Sequence, residues 1–110
     1  MKNFEWKLIG QVGVDSGQLM ICDPCYIDKE WKRDTKCDFS NKSKGKFSYN
    51  GCCNGTLDKN FAQLNFKLGH PGAGVAFSSE LGDGLYDVFA KFRTLKYWGR
   101  RITEIKIKLI

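Results

Sequence analysis

At 110 residues the chain is sized for one domain, 1–110, long enough to bury roughly two-thirds of its unfolded surface. Its residues are 42% hydrophobic and 14% aromatic, a globular composition that excludes disordered, collagen-like and coiled-coil classes. No apolar run approaches the ~20 residues that cross a bilayer, and none of signal-peptide length follows Met1, so no membrane partner and a cytoplasmic location are expected. The formal net charge of +6 points to an anionic partner, either nucleic acid or a smaller phosphate-bearing ligand. Five cysteines are an odd count for a disulfide framework, and reduced thiols are expected.

In chain order, Trp6, Leu8, Val12 and Val14 alternate with Glu5, Lys7 and Gln11, the period of a half-buried strand. Asp15-Ser16-Gly17 supplies turn chemistry, and Leu19 to Cys22 reads as the second strand of an opening hairpin. Asp23-Pro24 ends that strand, because proline lacks a ladder N–H and restricts its predecessor, and the corner delivers Cys25 and Tyr26 to one place. Asp28 is expected to cap a short helix near residues 28–33. From Asp34 to Lys46 the chain is polar and lysine-rich and reads as a surface loop or a flap. The two Asn-Gly dipeptides of Asn50-Gly51-Cys52-Cys53-Asn54-Gly55 predict a bent or bulged hairpin between residues 47 and 57. Gln63 to Phe66 and Val75 to Ser78 read as strands joined by the glycine-rich turn Leu68–Gly74. Gly82-Asp83-Gly84 makes the next turn, Leu85 to Arg93 alternates as a strand, and Ile105, Ile107 and Leu109 mark the closing strand. About seven short strands and one short helix predict a mostly β protein, an antiparallel β-sandwich or open barrel.

Several residue sets carry candidate chemistry. Cys22-x-x-Cys25 with Cys52-Cys53 has the ligand types of a zinc site, but adjacent cysteines chelate one tetrahedral ion poorly, and no metal or cofactor is expected. Cys25 with His70 as base, oriented by Asp23 or Asp83, would supply the parts of a thiol hydrolase, but their spacing gives no sign that they meet, and an enzyme is not the reading taken. The turn from Ser78 to Gly84 is hydroxyl-rich and reads first as a plain hairpin turn. Arg93, Lys96, Tyr97, Trp98, Arg100 and Arg101 fall within nine positions. Arginine forks bind phosphates bidentately and a Trp or Tyr face stacks on a base, so this cluster is the chain's best mixture for a nucleotide.

The motifs VDSGQLMICDPCYI and GAGVAFSSELGDGLYDVF, with YNGCCNG between them and the closing WGRRITEIKIKLI, resemble a family of small uncharacterised proteins of bacteriophages and prophages of Gram-positive bacteria. The resemblance covers most of the chain, least in 34–46, and implies a β-rich fold and a phage context in the host cell cytoplasm, with no activity to carry over. Small phage proteins without catalytic constellations often act by binding. The leading expectation is therefore a non-enzymatic, homo-oligomeric anti-defence sponge that sequesters an anionic nucleotide signal of the cyclic oligonucleotide or cyclic ADP-ribose type. Its expected contacts are Arg93, Trp98, Arg100 and Arg101, with His70, Ser78, Asp83 and Tyr26 around them. The alternatives are a protein-interaction module that inhibits a host protein, and a nonspecific nucleic-acid binder.

Overall fold

The computed structural model describes residues 5–34, 36–40, 42–79 and 81–110. The chain forms two compact units, one from Met1–Gly17 with Glu80–Ile110 and the other from Gln18–Ser79. The fold is mostly strand, as expected, and each unit carries one antiparallel three-stranded sheet, neither of them closed into a barrel.

In the first unit β1 (Lys7–Val14), β5 (Gly84–Leu95) and β6 (Gly99–Ile107) pair in the order β1-β5-β6. The central strand presents Tyr86, Val88 and Ala90 on one face, beside Val12 of β1 and Ile105 and Ile107 of β6. A bulge between Leu8 and Gly10 breaks the alternation of β1. Leu8 is therefore opposite Phe89 while Val12 is opposite Tyr86, so the single apolar face expected from Trp6 to Val14 is divided between the two sides of the sheet. The burial follows: Val14 is buried and Leu8 exposed. On the side of Leu8 and Phe89, the ammonium groups of Lys91 and Lys106 lie over the Trp6 ring at 4.8 and 4.5 Å.

The opening hairpin does not form, because β1 pairs with β5, and β2 (Gln18–Cys22) pairs with β4 (Pro71–Ser78) in the other sheet. The bend between them places Gly17 at φ +74°, and the Asp83 carboxylate accepts the Gly17 N–H at 2.9 Å. That bond ties the bend to the Gly82–Gly84 turn and sends the chain on to a new sheet instead of back along β1. Glu80, inside the Ser78–Gly84 turn, lies outside the described residues.

The second unit orders its strands β2-β4-β3, with β3 spanning Phe61–Asn65. Its core joins Phe47, Cys52, Leu64, Ala73 and Ala76, with Met20, Cys22, Tyr26, Trp31 and Phe66 packed against them. The predicted helix begins two residues early and is shorter: α1 covers Tyr26–Lys29, so Asp28 lies inside it. Asp23 starts the turn instead, its carboxylate accepting the Cys25 N–H at 3.0 Å and its carbonyl the Tyr26 N–H at 3.0 Å.

The hairpin predicted over 47–57 is a helix, α2 (Tyr49–Lys59). Ser48 caps it by accepting the Gly51 N–H, and Asn60 closes it at φ 69° with its N–H on the Thr56 carbonyl. The glycines of the two Asn-Gly pairs are there for close approach. A Cβ on Gly51 would run into the Lys46 carbonyl, and one on Gly55 into the Ala62 methyl of β3. The asparagines fasten the 34–46 segment to the helix. Asn50 accepts the Asp38 N–H and donates to the Ser43 hydroxyl, and buried Asn54 donates to the Asp38 carbonyl. A disulfide between Cys37 and Cys53 adds a covalent tie, correcting the expectation of reduced thiols for this pair. Their Cα atoms stand 5.8 Å apart, a separation a disulfide spans readily. Among the described residues no helix is long and apolar enough to cross a membrane.

Candidate functional site

The second unit contains a cleft of about 610 Å³, a volume suited to a small organic ligand. Three separate segments build it: Glu30-Trp31-Lys32, Lys44-Gly45-Lys46-Phe47, and Asn65-Phe66-Lys67 with Gly69. Backbone bonds hold the segments in register. The Lys32 N–H donates to the Phe47 carbonyl at 2.9 Å, and the Asn65 N–H to the Gly45 carbonyl at 2.8 Å, the second beside a bridge of Lys46 to Asn65. Gly45 makes this possible with φ +87°, where a side chain would also crowd the Asn65 amide.

The cleft wall is aromatic. Trp31 meets Phe47 edge to face at 4.9 Å, and Phe66 meets Tyr26 edge to face at 5.1 Å. The corner at Asp23-Pro24 is what puts Tyr26 and Trp31 there. The N–H groups of Glu30 and Trp31 both donate to the Tyr26 carbonyl as the chain leaves α1, turning the indole toward Phe47. Lysines supply the charge: Lys32, Lys44, Lys46 and Lys67 line the cleft against one carboxylate, that of Glu30. Lys44 also lies 3.5 Å from the Asp58 carboxylate, with both side chains largely exposed.

The residues expected from the sequence fall into two groups. Tyr26 and His70 do not line the cleft but pack on its Phe66 ring, Tyr26 at 5.1 Å and His70 tilted against it at 4.8 Å. Ser78 ends β4, its N–H donating to the Asn60 carbonyl, in the same unit. Arg93, Trp98, Arg100 and Arg101 gather at the exposed end of the β5–β6 hairpin in the first unit. Asp83 belongs to that unit too, where its carboxylate holds the Gly17 bend.

Trp31, Phe47, Phe66 and the cleft lysines were not among the expected contacts. One signal pointed to them: each ring adjoins a lysine in sequence, at Trp31-Lys32, Lys46-Phe47 and Phe66-Lys67. Dispersed over 37 positions from Trp31 to Lys67, these dipeptides do not register as a cluster until the chain folds.

The three free thiols are held protonated. The hydrogen bond to Asp23 raises the Cys25 thiol above its ordinary value, and burial, with Asp23 nearby, raises Cys22. Burial pushes Cys52 up to about 12. This is the direction opposite to that of an activated thiolate. The hydrogen bond from the Cys25 N–H lowers the Asp23 carboxyl. Cys53, being in the disulfide, is not a thiolate partner for Cys52, and among the described residues no three of His, Cys, Asp and Glu gather as a metal site.

Fold and site together define a mostly β, two-sheet protein with a basic, aromatic-walled cleft in one of its units. The chain matches no protein-family model, no curated protein and no solved structure.

Proposed function

We propose that this protein is a non-enzymatic binder that sequesters an anionic nucleotide, as a phage sponge for cyclic oligonucleotide or cyclic ADP-ribose-type signals would, and that the cleft of the second unit is where it does so. The observation that carries this reading is the combination of three rings and four lysines around a hollow of about 610 Å³. A purine presents a π-face for Trp31 and Phe66, and its phosphates present oxygens for Lys32, Lys46 and Lys67.

The test is calorimetric titration of the full chain with cyclic dinucleotides, cyclic trinucleotides and cyclic ADP-ribose isomers, with native mass spectrometry of the mixtures. One member of the panel is expected to bind at micromolar concentration, to be recovered with unchanged mass, and to bind roughly tenfold more weakly to Trp31→Ala or Lys46→Ala. Failure of the whole panel to bind at micromolar concentration would remove the nucleotide reading. Recovery of an altered nucleotide would replace sequestration with turnover.

A further inference from the structure

We infer that the end of the β5–β6 hairpin is a second binding element, independent of the cleft, and that its ligand is single-stranded nucleic acid. From Phe92 to Thr103 the chain carries four cations, Arg93, Lys96, Arg100 and Arg101, and no carboxylate, while Lys91 just before it stands opposite Glu104 and pairs with it at 4.0 Å. The register concentrates that charge, because Arg93 stands directly opposite Arg101 and Thr94 opposite Arg100. Among the described residues neither Arg100 nor Arg101 has a carboxylate within ion-pair distance.

The rings at the tip point to the kind of polyanion. Tyr97 and Trp98 occupy the turn and are 82% and 67% exposed, which is far more than a ring packed on the sheet retains. Gly99 at φ +74° and the Trp98 N–H on the Leu95 carbonyl hold the turn that displays them. Arg100 lies with its guanidinium 4.1 Å from the centre of the Phe92 ring, so one face of the fork is packed and its edges remain for phosphate. A convex tip cannot enclose one nucleotide, but unpaired bases stack on such rings while neighbouring phosphates meet the arginines. The row from Arg93 to Lys96 extends roughly 10 Å, more than one phosphate requires. A duplex keeps its bases stacked on each other and offers nothing for Trp98 to stack on.

The experiment is fluorescence anisotropy of labelled oligo-dT with the full chain, from low to high salt. Binding is expected to weaken linearly on logarithmic axes, and Arg100→Ala/Arg101→Ala to reduce the slope by about 1.4, the share of two phosphates on a single strand. Trp98→Ala is expected to weaken binding roughly tenfold at fixed salt and Trp98→Phe to restore most of it. Lys29→Ala, which removes a cation from α1 outside both the cleft lining and the hairpin, is expected to leave oligo-dT affinity unchanged, so the hairpin variants do not merely report a loss of net charge. It is overturned if oligo-dT does not bind at low salt, if the hairpin variants bind as the parent does, or if duplex binds equally well with Trp98→Ala without effect. Capture by anionic phospholipid vesicles but not by oligo-dT would overturn it in favour of a membrane surface.

Discussion

Gly51 carries a local turn signal and fills a different role in the fold. Asn-Gly is a strong hairpin-turn signal, and nothing local distinguishes the pair at 50–51 from a turn. Its glycine instead sits in the first turn of α2, where helix propensity alone favours alanine by about 1 kcal/mol. The Lys46 carbonyl occupies the place a Cβ would take, and that carbonyl belongs to backbone that also lines the cleft. Gly51→Ala must therefore displace the 43–47 segment, and forced overpacking of this kind costs about 1–3 kcal/mol. The expected net effect is a loss of about 1 kcal/mol, read as a lower urea midpoint at unchanged slope. A midpoint equal to or above the parent's would mean that the helix and the segment are not in that contact. The reason for the glycine is non-local, and so it was invisible in the sequence.

The strands were legible because their signal is local, and their partners were not. Alternation placed β1 and β5 within a residue or two, the apolar run at 19–22 fell on β2, and the short strands expected at 63–66 and 75–78 overlap β3 and β4. The bulges at Leu8/Gly10 and at Lys91/Phe92 leave no mark in composition, and they decide which side chains share a face. The link from β1 to β2 read as a hairpin because Asp-Ser-Gly suits a tight turn, yet each strand finds its partner far along the chain, and the bend itself is held by Asp83, 66 positions from Gly17. The 34–46 segment shows the same limit: its lysines read as a solvated loop, and its ties to α2 are made by single residues, among them Asp34, Cys37, Asp38 and Ser43. The disulfide closes a loop of sequence separation 16, for which chain entropy predicts about 3 kcal/mol of stabilisation. Thiol titration of the unfolded, unreduced chain is accordingly expected to count three thiols, and Cys37→Ser to lower stability by about that amount. Nucleotide affinity should change little in Cys37→Ser. Lys46 and Gly45 are held to β3 by the Asn65 N–H, and Ser43 to α2 by Asn50, and neither bond involves Cys37. Five titratable thiols would remove the disulfide, and loss of nucleotide binding in Cys37→Ser would make it part of the site.

At the scale of the molecule, two units carry two different presentations of the same chemistry. The hairpin cluster was legible because its cations and rings are contiguous from Arg93 to Arg101. The cleft was not, because it takes one short piece each from around residues 31, 45 and 66. Both set lysine or arginine beside aromatic rings, but the cleft is concave and the hairpin tip stands in solvent, so each is suited to a different form of nucleotide. Hydrogen exchange can separate them, because a ligand slows exchange where it stabilises the bonded backbone. A cyclic nucleotide bound in the cleft is expected to protect the amides of Lys32 and Asn65, which hold the three cleft segments together, and to leave 92–102 unchanged. Oligo-dT is expected to do the reverse, slowing exchange along the β5–β6 ladder between Phe92 and Ile102 and sparing Lys32 and Asn65. Protection of both sets by either ligand alone would mean that cleft and hairpin respond as one site. The tests by substitution would then have to be read as two views of a single binding surface, with Trp31 and Trp98 contributing to the same affinity.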